Sequence, residues 1–205
     1  MNRTIDQIMR IAPVIPVIVI DRVDDAVPLA QALVAGGLKV LEVTLRTPAA
    51  LEAITAMKAV DGAIVGAGTV LNPAALDAAI AAGAEFIVSP GLTETLGQAA
   101  RAAAIPFLPG IANAGDIMRG LDLGFDRFKF FPAETSGGIA ALKALAGPFG
   151  DIGFCPTGGI RYESASDWLA LPNVLCVGGS WVVPSGPFEA DKAETLARQA
   201  SQLAV

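Results

Sequence analysis

A repeated unit, made of a helix end, a glycine and an apolar strand, is the feature of this sequence that most restricts its fold. The unit occurs three times, as AGGLKVLEVTL, AAGAEFIVSPGL and DLGFDRFKFFP. Its glycines Gly37, Gly83 and Gly124 suit the left-handed backbone position that ends many helices. They are 46 and 41 residues apart, so each interval holds two strand–helix units, and a chain of 205 residues accommodates eight.

Eight apolar segments fit these units and predict strands at about 13–20, 38–45, 63–68, 84–89, 106–110, 126–131, 152–157 and 174–178. Alternating short strands and helices predict a parallel sheet. Eight units favour a closed barrel over an open doubly wound sheet. We therefore expect one α/β domain over residues 1–205, a (β/α)8 TIM barrel with an extra N-terminal helix before the first strand.

Polar residues followed by proline mark two of the predicted helix starts. Thr47-Pro48 and Asn72-Pro73 each place an N-cap residue before a proline at the first helical position. Asn113 followed by Asp116 resembles a capping box.

Composition excludes several classes of function. The chain has no histidine, which removes histidine general bases, Ser-His-Asp triads and histidine-ligated metals, so we expect no metal and no other cofactor. The net charge of −6 and the absence of a basic run argue against nucleic acid as a partner. The most apolar stretch, residues 11–20, is too short to span a bilayer, which needs ~20 apolar residues.

The N-terminal residues and the cysteines indicate a cytoplasmic protein. Asp6 and Arg10 interrupt the N-terminus, and no small-residue cleavage site follows, so we expect no signal peptide. Cys155 and Cys176 lie in apolar strand-like segments and are interpreted as two buried free thiols.

Polar residues in the second predicted strand indicate a functional site. Alternate residues of a strand point to opposite faces, so Glu42, Thr44 and Arg46 would point into the barrel mouth. Charged groups there are costly unless they serve each other or a ligand. A structural ion pair between Glu42 and Arg46 is the alternative.

Lys129 is the only one of the five lysines that lies inside an apolar strand near its carboxyl end. By the same alternation, Phe128 and Phe130 would face the helices and Lys129 the interior. Active sites of such barrels lie at the carboxyl ends of the strands. Burial disfavours a charged amine, and the neutral amine is the nucleophile that attacks a ketone. The alternative is a lysine that only pairs with Glu42.

Two glycine-rich turns follow the last two strands: Thr157-Gly158-Gly159-Ile160 and Gly178-Gly179-Ser180. Barrels often bind phosphate at this position through backbone N–H groups. Two such turns together predict a phosphate site. The third strand ends at Thr69, which adds a hydroxyl to the same edge of the sheet.

These segments together resemble the 2-keto-3-deoxy-6-phosphogluconate (KDPG) aldolase family, which overlaps 4-hydroxy-2-oxoglutarate aldolase. The matching stretches are VLEVTLRT, VGAGTVLNP, FIVSPGLT, FLPGI, FKFFPAE, FCPTGGI and VGGSW, in order over most of the chain. The resemblance implies a (β/α)8 fold, a homotrimer and no metal. One departure is Asn113, where the family often has threonine; it still suits a helix cap.

The resemblance also implies roles for the site residues. Lys129 would form the Schiff base and Glu42 would transfer protons. Arg46 and Thr69 would hold the pyruvate carboxylate. The phosphate would lie at the two glycine turns, which contain Thr157, Gly158, Gly159, Gly179 and Ser180. The expected reaction cleaves KDPG to pyruvate and glyceraldehyde 3-phosphate.

Three other functions remain open at this point. The first is the same chemistry on 4-hydroxy-2-oxoglutarate. The second is a phosphate-binding barrel isomerase or epimerase that forms no imine. The third is a non-catalytic trimeric ligand-binding or scaffold protein, although a scaffold has no reason to bury a lysine and a glutamate.

Overall fold

Strands and helices alternate along the chain in the computed structural model, which describes residues 3–183 and 188–204. The strands are Val14–Ile18 (β1), Val40–Thr44 (β2), Ile64–Gly68 (β3), Ile87–Val88 (β4), Phe107–Leu108 (β5), Gly110–Ile111 (β6), Arg127–Phe130 (β7), Gly153–Pro156 (β8) and Val177–Gly179 (β9). The helices are Ile5–Met9 (α1), Ala26–Ala35 (α2), Ala50–Met57 (α3), Pro73–Ala81 (α4), Glu94–Ala102 (α5), Ala114–Asp122 (α6), Gly138–Ala146 (α7), Tyr162–Leu169 (α8) and Ala190–Ser201 (α9).

The strands pair in parallel, which confirms the predicted α/β class. They form two sheets, a six-stranded one in the order β5-β4-β3-β2-β1-β9 and a three-stranded one in the order β6-β7-β8. Pro109 alone separates β5 from β6. Isolated bridges join Phe154 to Val174 and Thr157 to Gly178, between β8 and the segment that contains β9.

Each predicted strand overlaps a strand of the structure, with one division. The fifth, predicted over 106–110, appears as β5 and β6, because Pro109 between them has no N–H to donate. The helix α1 confirms the predicted N-terminal helix. Its N-cap is Thr4, whose side chain accepts a hydrogen bond from the backbone of Gln7.

The turn signals were mostly correct. Gly37, Gly83 and Gly124 have φ angles of 97°, 94° and 77°, in the left-handed region as predicted. Asn72 caps α4, and Asn113 accepts a hydrogen bond from the backbone of Asp116 at 3.1 Å.

The predicted N-cap at Thr47 is wrong. The helix α3 begins at Ala50, and its N-cap Ala49 makes no side-chain hydrogen bond. The Thr47 hydroxyl instead donates to the carbonyl oxygen of Ile20. A contact with the loop after β1 therefore overrides the local capping rule.

Two apolar layers flank the strands. The larger lies between strands and helices and includes Leu41, Val43, Phe128 and Phe130. The smaller contains alternate strand residues together with Ile8 and Met9 of α1. Its members include Val40 and Ile64, the first residues of β2 and β3, so α1 packs at the N-terminal ends of these strands.

Arg127 ties α1 to the start of β7. Its Nε lies 2.6 Å from Oδ1 of Asp6, and Nε of Arg10 lies 2.9 Å from the other carboxylate oxygen. Hydrogen bonds from Arg10 and Arg127 lower the pKa of Asp6 below its ordinary value. Within residues 3–183 and 188–204, helices long and apolar enough to cross a bilayer are absent.

Candidate functional site

Lys129 and Glu42 form a buried ion pair inside the strands. Nζ of Lys129 lies 2.9 Å from Oε1 of Glu42, and the two side chains are 6% and 3% exposed. The flanking Phe128 and Phe130 pack toward the helices, as the alternation predicted. A buried pair loses much hydration energy, which its attraction repays only in good geometry. A primary amine and a carboxylate are thus held in hydrogen-bonding contact, out of water.

The ion pair exists because Gly68 leaves space for it. A Cβ on Gly68 would overlap the Glu42 carboxylate, at 2.7 Å from Cγ and 2.8 Å from Cδ. Gly68 stands opposite Thr44 in the pairing of β2 with β3, next to Glu42 on the same interior face. The missing side chain on β3 therefore fixes the position of the carboxylate on β2.

Phe131 lies beside the lysine, and the sequence prediction gave it no role. Nζ of Lys129 lies 5.4 Å from the centre of the Phe131 ring. The same ring borders Gly158, whose missing Cβ would lie 3.3 Å from it. Phe131 therefore joins the ion pair to the first glycine turn. Residues 129 and 131 are two positions apart in the predicted strand 126–131, so the alternation rule could have found it.

Arg46 and Thr69 contact each other at the carboxyl ends of β2 and β3. Nε of Arg46 donates to Oγ1 of Thr69 at 3.4 Å. Thr69 has a φ of 58°, which is uncommon for a β-branched residue and is typical of functional sites. The open alternative of a Glu42–Arg46 ion pair is not observed, because Glu42 pairs with Lys129. The third inward residue, Thr44, is buried and donates to the carbonyl oxygen of Ile18 at 2.8 Å.

Two cysteines line the interior near the ion pair, buried and unpaired as predicted. Cys155 pairs with Lys129 in the register of β7 and β8. The Cys155 side chain, burial and the negative charge of Glu42 raise the pKa of Cys176 well above its ordinary value. The Cys176 thiol therefore remains protonated near neutral pH, and the two buried thiols give the carboxylate weakly polar surroundings.

The two glycine turns, here called the 157–159 loop and the 178–180 loop, lie next to each other. Thr157 is bridged to Gly178, and the missing Cβ of Gly178 leaves room for the Thr157 side chain. Gly158 and Gly159 have φ angles of 102° and 83°. Among the described residues, their N–H groups have no hydrogen-bond acceptor. The 157–159 loop therefore offers backbone donors to a ligand.

The 178–180 loop contributes differently. Gly179 is buried, and a Cβ there would overlap the Trp181 ring. Ser180 is exposed and directly follows β9 at its carboxyl end. The structure thus brings the predicted phosphate residues together at one edge of the sheet.

Glu134 is a second residue that the sequence prediction missed. Its Oε1 accepts a hydrogen bond from Nε1 of Trp168 at 3.1 Å. Its backbone N–H donates to the carbonyl oxygen of Gly158 at 3.1 Å. The stretch FKFFPAE contains Glu134, but no periodicity in a turn indicates where its side chain lies.

Comparison with known proteins gives consistent results. The model of the aldolase family described as KDPG and KHG aldolase matches residues 5–198. A curated 2-dehydro-3-deoxy-phosphogluconate aldolase from Zymomonas mobilis is 62% identical over 199 residues, which cover 97% of this chain and 96% of that protein.

Two solved structures have the same fold. A KDPG aldolase of Zymomonas mobilis with 3-phosphoglycerate superposes with a TM-score of 0.97 at 60% identity, covering 100% of this chain and 98% of that one. A KDPG aldolase from Legionella pneumophila, with pyruvate captured as a covalent carbinolamine, has a TM-score of 0.93 at 44% identity, covering 98% and 99%.

Proposed function

Because the chain belongs to the KDPG and KHG aldolase family, we propose that it cleaves 2-keto-3-deoxy-6-phosphogluconate to pyruvate and glyceraldehyde 3-phosphate. It is a class I aldolase, a carbon–carbon lyase that works through a lysine Schiff base. The buried contact between Lys129 and Glu42 is the observation that carries the proposal. A buried amine beside a carboxylate serves imine chemistry and has no evident use in a scaffold.

Lys129 is the proposed nucleophile. Its amine attacks the C2 ketone to give a carbinolamine, which loses water to form a protonated imine. The imine accepts the electrons of the C3–C4 bond when the proton of the C4 hydroxyl is removed, and the aldehyde leaves. The remaining enamine is protonated at C3, and water hydrolyses the imine to release pyruvate and the free lysine.

Glu42 is the proposed proton carrier for these steps. It already touches the lysine nitrogen at 2.9 Å, so it can receive the proton that Lys129 must lose before attack. The same carboxylate can then protonate the carbinolamine hydroxyl as water leaves. The buried Cys155 and Cys176 thiols give this carboxylate weakly polar surroundings, and the Phe131 ring lies beside the lysine nitrogen.

Arg46 and Thr69 are the proposed carboxylate site. An arginine can hold a carboxylate by two parallel hydrogen bonds, and the exposed Arg46 side chain already meets the Thr69 hydroxyl. This places the pyruvate end of the substrate at the ends of β2 and β3.

The phosphate end is proposed to bind at the two loops, 157–159 and 178–180. Its acceptors would meet the N–H groups of Gly158, Gly159 and Ser180, the Ser180 hydroxyl and the adjoining Thr157 and Gly179. Free backbone donors in the 157–159 loop support this assignment.

We also propose that the single domain, residues 1–205, closes as a (β/α)8 barrel, assembles as a homotrimer and works in the cytoplasm. The single residue between β5 and β6 and the bridge from Thr157 to Gly178 support closure. Exposed Met118 and Leu121 on α6 leave apolar surface that assembly could bury. Two unpaired cysteines suit a reducing compartment.

Trapping the imine tests the proposal. Incubation with pyruvate, reduction with borohydride and peptide mass mapping should place the adduct on Lys129. Lys129→Arg keeps the positive charge but forms no imine, and should lose both the adduct and KDPG cleavage. Lys39→Arg is the control and should retain both. An adduct on another lysine would refute the assignment of Lys129, and no adduct would favour a barrel isomerase.

The substrate is tested by comparing kcat/KM for KDPG with that for 4-hydroxy-2-oxoglutarate, which has no phosphate. Hydrogen bonds to a charged group are each worth roughly 1.5–3 kcal/mol, so losing several should cost about two to four orders of magnitude in kcat/KM. Equal rates would favour 4-hydroxy-2-oxoglutarate as the substrate and remove the phosphate site.

A further inference from the structure

Glu134 makes two contacts with the 157–159 loop and one with Trp168 of α8. Its backbone N–H donates to the carbonyl oxygen of Gly158 at 3.1 Å. Its Cβ and Cγ fill the space beside Gly159, where an added Cβ would lie 2.7 Å and 2.6 Å from them. Its Oε1 accepts from Nε1 of Trp168 at 3.1 Å. The loop is therefore covered by this side chain from the segment that follows β7.

The loop needs such support because its own residues cannot supply it. Two consecutive glycines with positive φ have wide conformational freedom, and fixing them costs entropy. A ligand held by backbone N–H groups pays that cost on binding unless the loop is already ordered. The neighbouring Ala133 adds a backbone hydrogen bond to the carbonyl oxygen of Thr157 at 2.8 Å, before the glycines begin. At Gly159 the packing contact comes from Glu134.

Trp168 gives Glu134 a fixed point of attachment. The indole is 1% exposed, and its ring lies 6.3 Å from that of Phe130 on the outer face of β7. One oxygen of the Glu134 carboxylate is thus anchored to α8, although the residue itself is exposed. Because the Trp168 ring packs on Phe130 of β7, the strand that also carries Lys129, the same strand supports both the loop and the lysine.

We infer that Glu134 is a positioning residue that keeps the 157–159 loop in its phosphate-binding conformation and so sets the preference for phosphorylated keto acids. This inference rests on the proposed function. Glu134 acts through the loop rather than on the substrate. Its negative charge is not what the loop requires, since a carboxylate repels phosphate; the required properties are its shape and its acceptor oxygen.

The test compares Glu134→Ala with Glu134→Gln on KDPG and on 4-hydroxy-2-oxoglutarate. Glu134→Ala keeps Cβ but loses the Cγ packing and the Trp168 acceptor, and should lower the ratio of the two kcat/KM values by about tenfold, through a higher KM for KDPG. Glu134→Gln retains both contacts and should keep the ratio within about threefold of the parent. Cleavage of 4-hydroxy-2-oxoglutarate and the pyruvate–borohydride adduct should be unchanged in both variants.

Glu163→Ala is the matched control, because it removes an exposed carboxylate from the first turn of α8. It should leave the ratio as in the parent. If Glu134→Ala keeps the parent's ratio, or lowers kcat/KM for both substrates by the same factor, the inference about Glu134 is wrong, whereas the proposed phosphate site is unaffected. If the parent itself shows no preference for KDPG, the phosphate site is wrong and the inference fails with it.

Discussion

Gly68→Ala should impair the reaction although it replaces none of the proposed reacting groups. The new Cβ would lie 2.7 Å from Cγ of Glu42, whereas ordinary contact begins near 3.4 Å. Cγ of the glutamate must therefore move by about 0.7 Å or more, since the strand backbone that carries the Cβ is fixed by pairing with β2, and Oε1, the atom nearest to the new Cβ, must also be displaced. This shift breaks the 2.9 Å contact between Glu42 and Lys129.

The expected loss follows from that displacement. A misplacement of ~1 Å can cost ~10²-fold in rate, so kcat for KDPG should fall by about 10²-fold. The crowded core should also lose about 1–3 kcal/mol of unfolding free energy. Steady-state kinetics and thermal unfolding measure the two effects separately. The borohydride adduct should still form on Lys129, but more slowly.

Two variants show whether the reasoning is correct. Gly150→Ala is the control, because a Cβ at this glycine meets no heavy atom within 4 Å, and its rate and stability should equal the parent's. Glu42→Gln should lower turnover by ~10²–10⁴, the usual contribution of positioned acid–base catalysis. If Glu42→Gln lowers turnover but Gly68→Ala does not, the position of the carboxylate is unimportant and the argument from Gly68 is wrong.

The other predictions concern Arg46 and Asp6. Arg46→Ala should raise KM for KDPG and weaken pyruvate binding. Arg46→Lys should restore only part of the lost affinity, because lysine lacks the bidentate geometry. Normal pyruvate binding by both variants would show that Arg46 only supports Thr69. The pKa of Asp6 is lowered in the folded protein. Its ion pairs therefore stabilise the fold at pH values above the ordinary carboxyl pKa, and this stabilisation is lost as pH falls below about 4. Asp6→Asn should therefore cost about 1 kcal/mol of unfolding free energy at pH 5–8 and less at pH 3. Chemical denaturation across this pH range checks it, and a constant difference would contradict it.

Strand periodicity explains why so much of the site was predictable. A strand turns alternate side chains to opposite faces, so Glu42 and Lys129 could be assigned to the interior from their apolar neighbours alone. Their contact could then be expected, because the carboxyl ends of parallel strands lie at the same edge of the sheet. Phe131, the last residue of the predicted strand 126–131, follows from the same rule applied two residues beyond the lysine, but the prediction gave it no role.

The remaining features depend on contacts between distant parts of the chain. Thr47 has the sequence of a helix cap, yet its hydroxyl bonds to Ile20, 27 residues earlier. Glu134 bonds to Trp168, 34 residues later, from a turn that has no periodic pattern. Rules based on neighbouring residues cannot predict that a side chain will bond to a distant segment rather than to its own turn. The outcome depends on which loops the folded strands bring together.

The strand β7 and its extension join stability, chemistry and recognition in one segment. Arg127 holds α1 at the N-terminal end, Lys129 carries the amine, Phe131 lies between the amine and Gly158, and Glu134 covers the 157–159 loop. The first three occupy alternate positions and face the interior together. Because one strand connects them, the distance between the proposed imine and the proposed phosphate site is set by backbone that pairs with neighbouring strands. If the 157–159 loop binds the phosphate as proposed, this arrangement would favour a substrate of one defined length. A substitution at Glu134 should therefore weaken binding at the proposed phosphate site without moving Lys129.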